Sequence, residues 1–162
     1  MTKYEQILQA ISEACGEEIL PASDRVAELA VEDTVVLVKP ADATEEVVSI
    51  FTVVLDGDAD ERRLRKAMEL NLFARGTGGG VIGLFVDSLV YSRDLPLEGV
   101  SAETFGRVLE LFVRTSREIS AALSSGDETA EPPKNNRVGV GKREKTGLRL
   151  DLTGLERVLN GV

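Results

Sequence analysis

Apolar positions in the first 60 residues change from helical to strand spacing. From Thr2 to Cys15 they recur every three or four residues, which predicts an amphipathic helix ended by Gly16. The next apolar runs are short and rich in Val and Ile, which favours strands. The predicted strands are Val26 to Val31, Thr34 to Lys39 (followed by Pro40) and Val47 to Leu55. Their short connections favour an antiparallel meander.

The stretch from Ala67 to Asp94 predicts the end of a helix, a glycine-rich turn and two strands. Asp60 is a good N-cap for that helix. Glycine readily takes the backbone conformations that end helices, so we expect the glycines at 76 and 78–80 to stop it. Val81 to Val86 then predicts a strand, positions 87–88 a tight turn, and Leu89 to Ser92 the return strand.

The last predicted helix of the folded part begins after Ser101, a suitable cap. Its apolar stripe follows helical spacing from Phe105 to Leu123. The predicted order is therefore α-β-β-β-α-β-β-α, an α+β fold with helices packed on a twisted antiparallel sheet, over residues 1–124.

Residues 125–162 differ in composition and charge. Up to about Gly147 they contain few apolar residues, which predicts a flexible linker. Residues 1–124 hold 12 Lys and Arg against 22 Asp and Glu, whereas the tail holds 7 against 6, so the net charges are −10 and +1. Apolar positions from Leu148 to Val162 predict a short amphipathic helix. The tail either docks on the acidic body, stays mobile, or forms a separate partner motif; deleting it should leave the expected dimer intact.

Composition limits the possible functions of the chain. Its net charge of −9 argues against binding nucleic acid or an anionic membrane. It has no histidine, which removes the commonest general base and metal ligand. Cys15 is the only cysteine, so we expect a reducing compartment and a buried, unreactive thiol. Without a signal or membrane-length apolar run, we expect a cytoplasmic, soluble protein.

Three patterns could carry chemistry, and each has a simpler explanation. The glycine-rich turn lies between a helix and a strand and lacks the Lys-Ser/Thr pair of a phosphate loop. The acidic pairs lie at predicted turns, and 56–60 lacks the rest of a calcium loop. The basic cluster at 62–66 is either a solvated face or a contact for acidic groups of a partner or second subunit. We therefore expect no catalytic activity, cofactor or metal.

One segment is distinctive. The run Leu70 to Gly80, LNLFARGTGGG, is followed by Ile82-Gly83-Leu84 and by Leu95-Pro96-Leu97. In these motifs, and in its predicted element order, the chain resembles the class I type III secretion chaperones of the CesT (Tir chaperone) family. The resemblance covers about residues 1–124 and does not extend to the tail.

The resemblance implies a bacterial cytoplasmic homodimer involved in virulence. Such a protein binds the N-terminal chaperone-binding segment of an effector, keeps it soluble and secretion-competent, and presents it to the secretion apparatus. A related α+β module used in regulation or assembly is the alternative. The implied dimer contacts are Leu64, Met68, Leu72, Phe73, Val81, Leu84, Val86 and Leu89. The implied effector contacts are Tyr4, Ile7, Leu8, Ile11, Val36, Val38, Ile50 and Val53.

Overall fold

A computed structural model of the chain describes residues 1–125, and the tail predictions lie outside these residues. The elements follow the predicted α-β-β-β-α-β-β-α order. They are α1 (Lys3–Cys15), β1 (Ala27–Val31), β2 (Thr34–Pro40), β3 (Val47–Leu55), α2 (Glu61–Asn71), a 3-10 turn (Leu72–Ala74), β4 (Val81–Phe85), β5 (Ser88–Pro96) and α3 (Ala102–Ser124).

The five strands form one antiparallel sheet in the order β1-β2-β3-β5-β4. The predicted meander is its first three strands, and the second hairpin joins β3 through β5. Strands β1 and β4 are therefore the two edges. All three helices pack on one face of the sheet, where the main core lies between α1, α3 and the strands.

Each helix begins at the residue that the sequence favours as a cap. The Thr2 hydroxyl accepts from the Glu5 N–H at 3.2 Å and the Glu5 carboxylate accepts from the Thr2 N–H at 2.9 Å, which is a capping box. Asp60 accepts from the Arg63 N–H at 2.8 Å at the start of α2. Ser101 caps α3 in the same way. These contacts satisfy backbone donors that the helices leave unpaired.

The glycine-rich turn has a packing role at Gly80. A Cβ there would lie 2.4 Å from Cε2 of Tyr91 and 2.6 Å from the carbonyl oxygen of Ser92. The Tyr91 ring is stacked on Phe112 with centroids 4.5 Å apart, and its hydroxyl donates to the Thr77 carbonyl at 2.7 Å. The turn therefore packs so closely against Tyr91 of β5, which is stacked on α3, that residue 80 has no room for a side chain.

The structure corrects the predicted end of α2, the bounds of the second hairpin and the predicted burial of Cys15. Helix α2 ends at Asn71, before the first glycine, because the backbone becomes extended at Leu72 (ψ 115°), and Phe73 then takes a positive φ of 56°. The hairpin turn lies one residue earlier than predicted, at positions 86–87, and the return strand continues to Pro96. Cys15 is exposed, since it is the last residue of α1 and lies beyond the buried part of that helix.

Candidate functional site

The exposed apolar side chains of residues 1–125 concentrate around the end of α2 and the edge strand β4. Six of the ten large ones come from the end of α2, the 3-10 turn and the β4–β5 hairpin. We call this group the α2–β4 patch; its members are Met68, Leu72, Phe73, Val81, Leu84 and Val86. Val81 and Leu84 lie on opposite faces of β4, so apolar side chains flank this edge strand on both sides.

Local geometry keeps two members of the α2–β4 patch prominent. Phe73 is 80% exposed and Val86 is 81% exposed, and both have a positive φ. That conformation costs a residue with a Cβ roughly 1–2 kcal/mol. The Arg75 guanidinium lies 5.9 Å from the centre of the Phe73 ring, a cation–π contact. At Val86 the positive φ belongs to the two-residue turn between β4 and β5, as it does at Glu32 between β1 and β2.

All six members of this patch are among the eight predicted dimer contacts. The other two differ: Leu64 is half-buried and Leu89 is buried in the core. Leu89 lies on the helix-facing side of β5, where it packs beneath the helices. The structure thus brings six of the predicted residues to one exposed region.

A second apolar surface lies on the face of the sheet opposite the helices, which we call the open face. Leu37 and Phe51 are paired across β2 and β3 on this side, and they are buried but lie outside the helix-side core. Val35 points to the same side two residues earlier and is 45% exposed. Val53 is half-buried and pairs with Val90 of β5. The open face therefore carries an apolar strip across the three central strands.

The predicted effector contacts lie almost entirely on the other side. The structure buries seven of the eight in the helix-side core, and Val53 alone lies on the open face. The seven are Tyr4, Ile7, Leu8, Ile11, Val36, Val38 and Ile50. In the strands the reason is the two-residue period, because moving by one position exchanges the faces. Positions 35–38 are all apolar, so the sequence could not indicate which pair points outward.

An ion pair ties together the two loops beside α1. Glu45 is 5% exposed, and its carboxylate pairs with the Arg25 guanidinium. The Arg25 carbonyl accepts from the Tyr4 hydroxyl at 2.7 Å, and the Val38 carbonyl lies 3.0 Å from the same hydroxyl. Burial raises the Tyr4 pKa from 10.0 to about 12 because the charged form loses water. Tyr4 is therefore an anchor of α1 on the sheet.

A family model matches residues 6–120, more than half of the chain. The chain belongs to the Tir chaperone protein (CesT) family. The match includes both surfaces described above and all five strands. A search of the curated proteins gave no significant match. Among residues 1–125, no helix has both the length and the apolar character needed to cross a membrane.

Three solved structures share the fold of this CesT family member. A chain of the HopA1–SchA chaperone–effector complex is 16% identical, with a TM-score of 0.56, covering 73% of this chain and 93% of that one. The Yersinia pestis type III secretion chaperone SycH, in complex with a fragment of YscM2, is 20% identical, with a TM-score of 0.54, and the match covers 70% of this chain and 96% of that one. A chain of the ExoT–SpcS complex of Pseudomonas aeruginosa is 19% identical, with a TM-score of 0.54, and the match covers 72% of this chain and 96% of that one.

Proposed function

We propose that this CesT family member is a type III secretion chaperone that acts as a homodimer and binds the N-terminal segment of an effector. It keeps that segment soluble and secretion-competent and presents it to the secretion apparatus. The observation that carries the proposal is the presence of two apolar surfaces on a family member, the α2–β4 patch and the open face, which adjoin at Val81. One suits a second copy and the other an extended chain.

The α2–β4 patch supports the dimer. Burying one exposed large apolar side chain in an interface contributes about 1.5–3 kcal/mol of favourable free energy, and each copy has six such side chains in the patch. A two-fold dimer brings the same surface of both subunits together, so each apolar group meets another. The net charge of −10 on residues 1–124 keeps such a protein soluble but does not cover the patch.

The open face and the β1 edge support binding of an extended segment. The two-residue turn after Val31 makes Val31–Thr34 a hydrogen-bonded pair. By alternation, the backbone groups of Glu28 and Ala30 point away from β2, and their side chains are exposed. An added strand would take its main-chain hydrogen bonds there and place alternate side chains beside the open face.

The test separates the two surfaces with three matched Asp substitutions. Phe73→Asp lies in the α2–β4 patch, Val35→Asp lies on the open face, and Leu111→Asp replaces an exposed apolar residue of α3 outside both. Light scattering measures the oligomer, and calorimetry measures binding of N-terminal segments of proteins encoded beside this gene. We expect F73D to be a folded monomer. V35D should stay a dimer and bind at least about tenfold more weakly, whereas L111D should match the wild type.

Several results would contradict the proposal. A wild-type protein that stays monomeric at all concentrations tested would remove the homodimer. Failure of the wild type to bind any neighbouring N-terminal segment would remove the chaperone function, as would an L111D variant impaired as much as V35D. Hydrogen exchange should show the bound segment protected only where it contacts the chaperone, since a folded bound domain would indicate an assembly module instead.

A further inference from the structure

The outer edge of β4 is occupied by a side chain of the same protomer. Asn71 is the last residue of α2 and lies beside this edge strand. Its amide nitrogen donates to the Ile82 carbonyl at 2.8 Å, and its amide oxygen accepts from the Ile82 N–H at 2.8 Å. A side-chain amide thus makes the pair of bonds that a neighbouring strand would make.

These bonds fix which backbone groups of β4 point outward. Because the Ile82 N–H is bonded to Asn71, it is not bonded to Tyr91, its partner position on β5. Hydrogen-bonded and non-bonded pairs alternate along an antiparallel ladder, so Leu84 is the other residue of β4 that points outward. Asn71 therefore occupies one of the two positions at which a strand could join this edge.

An edge of this kind needs protection. Unpaired strand edges are templates for pairing with other chains, and apolar side chains flank this one on both faces. Charged residues commonly protect edges, but Val81, Leu84 and Val86 carry none. At the opposite edge, on β1, no side chain of residues 1–125 bonds the outward backbone groups of Glu28 and Ala30, so that edge stays available to an added strand.

We propose that Asn71 is a specificity residue that closes the β4 edge, so that extended chains add at β1 and a second copy joins the α2–β4 patch through side chains only. The amide is suited to this role because it both donates and accepts, whereas Asp can only accept and Ala can do neither. The proposal rests on the proposed function for the identity of the two partners. The closed edge itself rests on the Asn71–Ile82 bonds.

The first test uses the Phe73→Asp variant, which is expected to be a folded monomer, so that no second copy shields Leu84. Amide exchange measured by NMR should show the Ile82 N–H protected at least about tenfold more than that of Leu84, because only Ile82 is bonded on this side. Equal exchange at the two positions would overturn the proposal.

The second test compares Asn71→Ala with Glu69→Ala, a matched truncation of an exposed residue on the same helix. In N71A the Ile82 amide should exchange about tenfold faster, and sedimentation velocity should show species larger than a dimer that grow with concentration. Glu69→Ala should change neither property. Faster exchange in N71A with an unchanged size distribution would overturn the specificity role.

A third variant covers the case in which N71A does not fold. Asn71→Asp keeps the acceptor for the Ile82 N–H but places a carboxylate against the Ile82 carbonyl. It should release part of the edge and give intermediate association; association equal to the wild type would overturn the proposal. A monomeric wild type would end the dimer hypothesis and yet leave the contrast between Ile82 and Leu84 intact, so the two failures are distinguishable.

Discussion

Replacing Gly80 by alanine tests whether the glycine-rich turn is a packing element. The new Cβ would lie 2.4 Å from Cε2 and 2.9 Å from Cζ of Tyr91, and 2.6 Å from the Ser92 carbonyl oxygen. These distances are well inside van der Waals contact. The Tyr91 ring can move away only by leaving its stack on Phe112 and its hydrogen bond to Thr77.

The expected magnitude follows from these contacts. Overpacking a buried site costs about 1–3 kcal/mol, and loss of the Tyr91 hydrogen bond adds about 1 kcal/mol. The loss of freedom in the unfolded chain offsets about 0.4–1 kcal/mol, as for any Gly→Ala change. We therefore expect Gly80→Ala to lower the free energy of unfolding by about 1–3.5 kcal/mol.

Gly83→Ala is the matched control. Gly83 lies on β4, three residues further along the chain; a Cβ added there would meet no atom within 4 Å, and its backbone needs no positive φ. Urea unfolding followed by far-UV circular dichroism, at equal protein concentration because association adds stability, measures both variants. A Gly80→Ala stability within about 0.5 kcal/mol of that of Gly83→Ala would refute the packing argument.

Three further predictions concern α1. Burial raises the Tyr4 pKa to about 12, so the unfolded chain loses that proton near pH 10, before the folded protein does. The free energy of unfolding should therefore be fully retained below pH 10 and fall between pH 10 and about 12. When unfolding is measured against pH, this fall should be shallower in Tyr4→Phe. Thr2→Ala removes the capping hydroxyl and should cost about 1 kcal/mol in urea unfolding, with unchanged stability counting against the capping box. Cys15 is exposed, so it should react with a thiol reagent in the folded protein, and Cys15→Ser should change stability by less than about 0.5 kcal/mol; a thiol that reacts only after unfolding would contradict this.

The sequence was sufficient for the fold and for one of the two surfaces. Helical spacing, caps and strand runs gave the order of elements, because local backbone preferences and the pattern of apolar residues act over a few positions. The distinctive run at 70–80 led to the family and, through it, to six residues of the α2–β4 patch. These six include Phe73, which a pattern of helical positions alone would have placed inside a longer α2.

The open face and the closed edge were decided only by the tertiary structure. In β2 the four consecutive apolar residues fit either face, and only packing against the helices directs Val36 inward and Val35 outward. Helix α2 ends where the backbone of Leu72 becomes extended, and its last residue, Asn71, bonds Ile82 eleven positions further along the chain. These features arise from contacts between residues distant in sequence, whereas the sequence pattern by itself determined the elements that make those contacts.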